Sequence, residues 1–196
     1  MGTSACDQVN RFIGERRLLA PKSLLQKAFG ALCLITVALA QNPARSADQS
    51  APVRILAFGD SLAAGYGLED VTDAFPAQLE KALKAKGHNV VLMPGAISGD
   101  TTSGGRSRLD WSLAEMPDAV IVELGGNDGL RAIDPKITAE NLDFIVRRIG
   151  MEGIPVLLAG MLAPPNLGRD YGDRFNGVFP KVAKDAGVLF YPFFLE

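Results

Sequence analysis

The chain has 196 residues, 47% hydrophobic and 21% charged, which is enough for one well-buried domain and too short for two. A formal charge of −2, with Lys and Arg scattered and never interleaved with aromatics, excludes the basic face of a nucleic-acid binder. Cys6 and Cys33 both precede the globular part and His88 is the one histidine, so a disulfide framework and clustered metal ligands are excluded there, and no metal or cofactor is implied.

The first segment reads as an address. Arg11, Arg16, Arg17, Lys22 and Lys27 precede an apolar run, Ala28 to Ala40, broken only by Thr36. This run is shorter than the ~20 residues that span a bilayer core, so no stable membrane span is expected. It matches the apolar region of a secretory signal, with Ala38-Leu39-Ala40 as small residues before a cleavage point at Gln41. Export, to a periplasm or beyond the cell, is therefore expected, with an uncleaved anchor as the alternative. Residues 1–40 form the signal and 41–52 a flexible leader rich in Pro, Ala, Ser and Asp. Removing residues 1–40 leaves a net charge of −5.

From Val53 strands and helices alternate. Val53–Phe58 is a short apolar run, hence a buried strand, and Ala74–Lys86 has helical spacing through Phe75, Leu79, Ala82 and Leu83. Asn89–Met93 is a strand, Thr101–Ala114 a helix and Ala119–Leu124 a strand. Thr138–Gly150 is a helix, Pro155–Ala159 a strand, Tyr171–Ala186 a helix and Val188–Phe190 a last strand. Such alternation with near-continuous apolar strands predicts one domain over residues 53–196, a three-layer α/β/α, flavodoxin-like fold. Its parallel sheet has about five strands and is covered on both faces.

In such sheets ligands bind beyond the carboxyl ends of the strands. Three polar segments follow the first three strands: Gly59-Asp60-Ser61-Leu62, Ser98-Gly99-Asp100 and Gly126-Asn127-Asp128. The topology brings them to one edge. Ser61, just past a strand and at a glycine turn, is placed to act as a nucleophile with its own N–H facing the site. Gly99 offers a second N–H without a side chain in the way, and Asn127 a neutral amide donor. Together they make an acyl-binding half-site with an oxyanion hole of Ser61, Gly99 and Asn127. Asp60 and Asp128 read as loop-fixing acceptors and Asp100 as a helix N-cap. Trp111 reads as core packing in preference to pocket lining, and Tyr66 as a candidate pocket wall.

At these residues the chain resembles the SGNH (GDSL) hydrolases, most nearly the bacterial arylesterase, thioesterase I and lysophospholipase type. The likeness runs through Ala57-Phe58-Gly59-Asp60-Ser61-Leu62, Ile97-Ser98-Gly99-Asp100-Thr101-Thr102 and Glu123-Leu124-Gly125-Gly126-Asn127-Asp128. It continues in Arg108-Leu109-Asp110-Trp111, Ala163-Pro164-Pro165-Asn166 and Phe193-Phe194-Leu195-Glu196. The resemblance implies a serine hydrolase of small acyl esters or thioesters, with Ser61 the nucleophile. It also admits a carbohydrate deacetylase.

The fourth block of that family, an Asp-x-x-His carrying the base, has no counterpart between Val53 and Glu196. His88 precedes the second strand, at the opposite end of the sheet from Ser61, beyond the ~3 Å reach of a general base. The apolar run Leu189–Leu195 beside the last residue is expected to lie uncovered. These features predict a domain lacking its last helix and an enzyme impaired as given. A non-catalytic lipid- or glycan-binding relative is the second reading. A nucleotide site is excluded by the absence of Gly-Lys-Ser/Thr and of a third glycine after Gly65-Tyr66-Gly67. An α/β-hydrolase elbow is excluded because Ala63 stands where Gly-x-Ser-x-Gly needs glycine.

Overall fold

A computed structural model describes residues 51–195. The expected signal, residues 41–50 of the leader and Glu196 lie outside the described residues.

Five strands form one parallel sheet in the order β2-β1-β3-β4-β5: β1 Val53–Gly59, β2 Val90–Pro94, β3 Ala119–Glu123, β4 Val156–Ala159 and β5 Leu189–Tyr191. The helices are α1 Ser61–Ala64, α2 Phe75–Ala85, α3 Thr102–Leu113, α4 Gly126–Leu130, α5 Pro135–Met151, α6 Arg169–Asn176 and α7 Val178–Ala186. This is the flavodoxin-like strand order, whose direction of winding reverses between β1 and β3. The strands are apolar because both faces are buried. Leu56, Phe58, Val120, Val122 and Leu158 face α3, α5 and α7 in the larger core, with Leu109, Leu142, Ile145 and Phe179. Ile55, Ala119, Ile121 and Leu157 face the other way, onto Leu79 and Leu83 of α2. The period-2 alternation of β1 and β3 thus divides two cores with no polar residue at a core position until Glu123.

Most predicted elements lie within a residue or two of their observed bounds. Two departures have physical causes. The helix predicted over Thr138–Gly150 begins at Pro135, because the Asp134 carboxylate caps Lys136 N–H at 3.0 Å and proline suits the first helical turn. The single helix predicted over Tyr171–Ala186 is two, since Pro180 has no N–H to give the Asn176 carbonyl and its ring clashes there. Of the short helices that carry site residues, α1 agrees with a helix opening at Ser61, and α4 has no counterpart among the predicted elements.

The C-terminal run is partly covered, contrary to expectation. Gly160 N–H donates to Tyr191 O at 2.8 Å and Phe194 N–H to Gly160 O at 3.0 Å, tying the segment to the end of β4. The Phe194 ring meets Phe75 of α2 edge-on at 4.8 Å. Leu195 stays exposed. Among the described residues no helix is long and apolar enough to cross a membrane.

Candidate active site

The site is built on the first turn after β1. Asp60 is the N-cap of α1: its Oδ1 accepts Leu62 N–H at 3.0 Å, and Gly65, with φ of 78°, ends the helix after one turn. Ala64 N–H donates to Asp60 O at 2.9 Å, while the N–H groups of Asp60 and Ala63 both donate to Glu123 Oε2, at 3.1 and 3.2 Å. Within residues 60–64 that leaves the Ser61 amide as the one N–H with no acceptor among the described residues. The free N–H belongs to the residue whose hydroxyl is half-exposed at the sheet edge, an arrangement suited to receiving a negatively charged oxygen.

Glu123, the first residue of the third motif, has a role at this turn. It pairs with Gly59 across β1 and β3, so its side chain reaches directly under the Ser61 turn. A Cβ on Gly59 would stand 2.5 Å from Glu123 Oε2, so the glycine makes room for the carboxyl. Oε1 is buried without a partner. Burial, then repulsion from Asp60, pushes the Glu123 carboxyl up to about 8. The Asp60 carboxyl is also raised, chiefly by burial, against the lowering effect of its bonds from Leu62 and Asn127. The sequence signal was available: a lone acid ending a wholly apolar strand is almost never buried without a task.

Asn127 opens α4 just beyond β3, across the winding reversal from Ser61. Its Nδ2 donates to Asp60 Oδ2 at 3.1 Å and to Asp100 O at 2.9 Å. Gly99 has φ of 85°, a left-handed conformation that favours glycine, and its carbonyl accepts from Arg131 Nη2 at 2.9 Å. The structure therefore brings Ser61, Asn127 and the Gly99 loop to one edge, as the strand order requires.

The acidic residues divide differently from expectation. Asp60 and Asp128 are loop-fixing acceptors: Asp128 is buried, its Oδ2 taking Thr102 N–H at 2.8 Å and its Oδ1 the Thr102 and Thr138 hydroxyls at 2.5 and 3.2 Å. Asp100 is not the N-cap of α3. Thr101 is, accepting Gly104 N–H at 3.3 Å, because the chain enters the helix one residue later. Asp100 instead takes Arg108 Nε at 2.6 Å. Arg108 also donates to Gly95 O at 2.7 Å and Gly59 O at 3.0 Å, with its guanidinium 4.1 Å over the Phe58 ring.

Beside Ser61 lies a cleft of about 230 Å³ walled by Leu62, Leu130, Met161, Leu162, Phe193 and Leu195. Trp111 is 75% exposed and Tyr66 81%, and neither lines it. The expectation of Trp111 in the core fails because position 111 falls on the outer side of α3, opposite buried Leu109, Ser112 and Leu113. A larger depression between α5 and α7, lined by Asp143, Lys181 and Asp185, includes no residue of the three motifs, and another, lined by Ala63, Ala64, Val71 and Leu92, adjoins α1 without including Ser61. No cluster of three or more His, Cys, Asp or Glu that could hold a metal occurs among the described residues.

His88 sits two residues before Val90, which is in register with Val53 at the amino end of β1. Ser61 lies past the carboxyl end of that seven-residue strand, about 20 Å away at ~3.3 Å per residue. Among the described residues no imidazole reaches Ser61.

Fold and turn together define a parallel α/β domain that presents a serine, a free amide and a carboxamide around one cleft at its winding reversal. The match to a family model agrees. The chain belongs to the GDSL-like lipase/acylhydrolase family, whose model matches residues 57–196. It is 41% identical over 152 residues to an arylesterase of Vibrio mimicus, covering 77% of this chain and 76% of the relative. It is 38% identical over 143 residues to thioesterase 1/protease 1/lysophospholipase L1 of Escherichia coli K12, covering 72% and 67%. Among solved structures it resembles AlinE4, an SGNH-hydrolase family esterase, at 44% identity and a TM-score of 0.72, covering 74% of this chain and 78% of that one. The chain is thus of the esterase and thioesterase type of hydrolase.

Proposed function

We propose that the site cleaves carboxylic esters or thioesters through an acyl-enzyme on Ser61. The Ser61 oxygen attacks the acyl carbon. The carbonyl oxygen becomes an oxyanion received by Ser61 N–H, Gly99 N–H and the Asn127 amide, and the alcohol or thiol leaves. Water then releases the acid. The observation that carries this reading is the amide accounting of the turn, which leaves only the Ser61 N–H free to receive the oxyanion.

The acyl chain enters the apolar cleft past Leu62 and Met161. Its volume of about 230 Å³ lies below the 300–1,000 Å³ of drug-sized sites and favours short chains. The proton of Ser61 needs a base, and the residues present put none beside it. Both oxygens of Asp60 are held by Leu62 and Asn127. In the family that the chain resembles, a histidine on an Asp-x-x-His segment serves as that base. The basic segment and apolar run of residues 11–40 support export to a periplasm or beyond.

The test is hydrolysis of p-nitrophenyl acetate and butyrate by this chain, by Ser61→Ala, and by the chain extended with an Asp-x-x-His segment. Weak activity lost in Ser61→Ala and raised by the extension supports the proposal. Equal activity in chain and extended chain removes the need for a base. The second reading is a non-catalytic lipid- or glycan-binding role of the same cleft. Tight binding of a short-chain ester by both chain and Ser61→Ala, with no turnover after extension, selects that second reading.

A further inference from the structure

We propose that Glu123 is a positioning residue of this site: its buried carboxyl, reaching from the end of β3 to the amides on either side of Ser61, fixes the turn that presents the serine hydroxyl and N–H. The inference rests on the reading of Ser61 as nucleophile.

Four observations converge. Glu123 Oε2 accepts from Asp60 N–H and Ala63 N–H, one residue before the serine and two after it. Only Gly59 leaves space for that carboxyl, since a Cβ there would meet Oε2 at 2.5 Å. The Glu123 residue is 1% exposed, and Oε1 has no partner. The one charged group found to act on it is Asp60, itself bonded to Asn127. A buried carboxyl with one oxygen unused is costly, but an apolar side chain in its place would leave the Asp60 and Ala63 amides without their acceptor. What the carboxyl does supply is one atom taking two N–H bonds that bracket a third, free one. Removing it lets the turn rotate and re-aim both the hydroxyl and the amide of Ser61. A displacement of about 1 Å costs on the order of 100-fold in rate.

The carboxyl is held in its neutral form at neutral pH by burial and by Asp60. Oε2 then accepts the two amides and Oε1 carries the proton. An amide side chain reproduces this pattern, with oxygen toward the turn and nitrogen in the place of Oε1, so Glu123→Gln should conserve the turn and Glu123→Ala should not.

The experiment compares the full chain with Glu123→Ala and Glu123→Gln by amide hydrogen exchange and by p-nitrophenyl butyrate kinetics. The Asp60 and Ala63 amides should exchange at least about tenfold faster in Glu123→Ala, the size of effect expected from losing one such bond. Glu123→Gln should restore their protection, while Val120–Val122 stay unchanged in both. Unaltered exchange at Asp60 and Ala63 in folded Glu123→Ala overturns the proposal. If Glu123→Ala does not fold, the Asp60 and Ala63 amide shifts decide. In the full chain they should titrate near pH 8, where burial and Asp60 place the ionisation of the Glu123 carboxyl, and in Glu123→Gln they should not. The same titration in both, or in neither, overturns it. In the kinetics, kcat falls about tenfold or more in Glu123→Ala and KM stays within about twofold. A change confined to KM counts against positioning. Absence of any Ser61-dependent turnover in the unmutated chain is failure of the hydrolase reading alone, and the amide measurements still decide the role of Glu123.

Discussion

The Asn127 side chain gives both of its amide hydrogens away inside the protein, one to Asp60 Oδ2 at 3.1 Å and one to Asp100 O at 2.9 Å. These bonds join the loops after β1, β2 and β3 at a single nitrogen. They also mean that Asn127 cannot serve an oxyanion without sharing or releasing one of them. A fully charged oxyanion competes well, because bonds to charged groups are roughly twice as strong as neutral ones. A neutral ground-state carbonyl competes poorly, so the donor is biased toward the transition state.

Asn127→Ala should therefore lower kcat by about 100- to 1,000-fold with little change in KM, as for loss of one oxyanion donor. It should also cost about 1–2 kcal/mol in stability, because Asp60 Oδ2 and Asp100 O lose a partner. Urea denaturation and steady-state kinetics on the extended chain check the two parts separately. A large stability loss with unchanged kcat would confine Asn127 to a structural role.

Two glycines of the site should respond differently to alanine. At Gly59 the added Cβ meets Glu123 Oε2 at 2.5 Å, Ala63 Cβ at 2.8 Å and Glu123 O at 2.8 Å, all in the core, so Gly59→Ala should fail to give a folded chain. At Gly99 the added Cβ meets only Arg131 Nη2, at 3.9 Å, and the cost is that of φ at 85°. Gly99→Ala should fold with a loss of about 1 kcal/mol and a shifted loop. Thermal melts followed by far-UV circular dichroism distinguish the cases.

The fold was legible because its strands are buried on both faces, so Val53–Phe58 and Ala119–Leu124 read as apolar runs whatever surrounds them. Convergence of Ser61, Gly99 and Asn127 followed from strand–helix alternation, and their loops lie at one sheet edge. Contacts that depend on facing across the sheet were not legible. That Glu123 lies under Ser61 follows from the register Gly59–Glu123, which no local pattern encodes. Trp111 was misread because α3 shows little amphipathic contrast: Gly105, Leu109 and Ser112 face inward while the tryptophan faces water. The cap of α3 is ambiguous in the sequence because Asp100 and Thr101 are adjacent and both suit that role.

Stability should depend on pH through Glu123. Its carboxyl is raised from 4.5 to about 8 on folding, so between these values the native state holds a proton that the unfolded chain has released. The stability associated with this group is fully present below pH 4.5 and is lost as pH rises to about 8, by at most about 1.4 kcal/mol per unit. Asp60, also raised, acts in the same direction. Glu123→Gln removes the first contribution and leaves the second. Urea midpoints from about pH 5 to about 9 should fall more steeply for the unmutated chain than for Glu123→Gln. Parallel profiles would show that Glu123 ionises normally in the folded chain.

Arg108 ties the loop after β2, which carries Gly99, to the end of β1 beside Ser61, and no lysine can do the same. Its Nε, Nη1 and Nη2 reach Asp100 Oδ2, Gly95 O and Gly59 O in three directions from one plane, and that plane lies 4.1 Å over Phe58. An ammonium group has neither the fork nor the flat face. The Arg108–Asp100 pair is largely buried, with side-chain exposures of 14% and 17%, so solvent screens it little. Arg108→Lys should cost about 2 kcal/mol and Arg108→Ala about 3 kcal/mol, the scale of losing charged hydrogen bonds to partners left buried. Asp100→Asn should cost less, since the Gly95 and Gly59 bonds remain. The double-mutant cycle of Arg108→Ala and Asp100→Asn, read from urea midpoints, should give a coupling of about 1–2 kcal/mol. A coupling near zero would mean that Arg108 acts through the two carbonyls and the Phe58 ring alone. The Gly99 loop would then be held by carbonyl bonds alone, from Asn127 to Asp100 O, Arg131 to Gly99 O and Arg108 to Gly95 O.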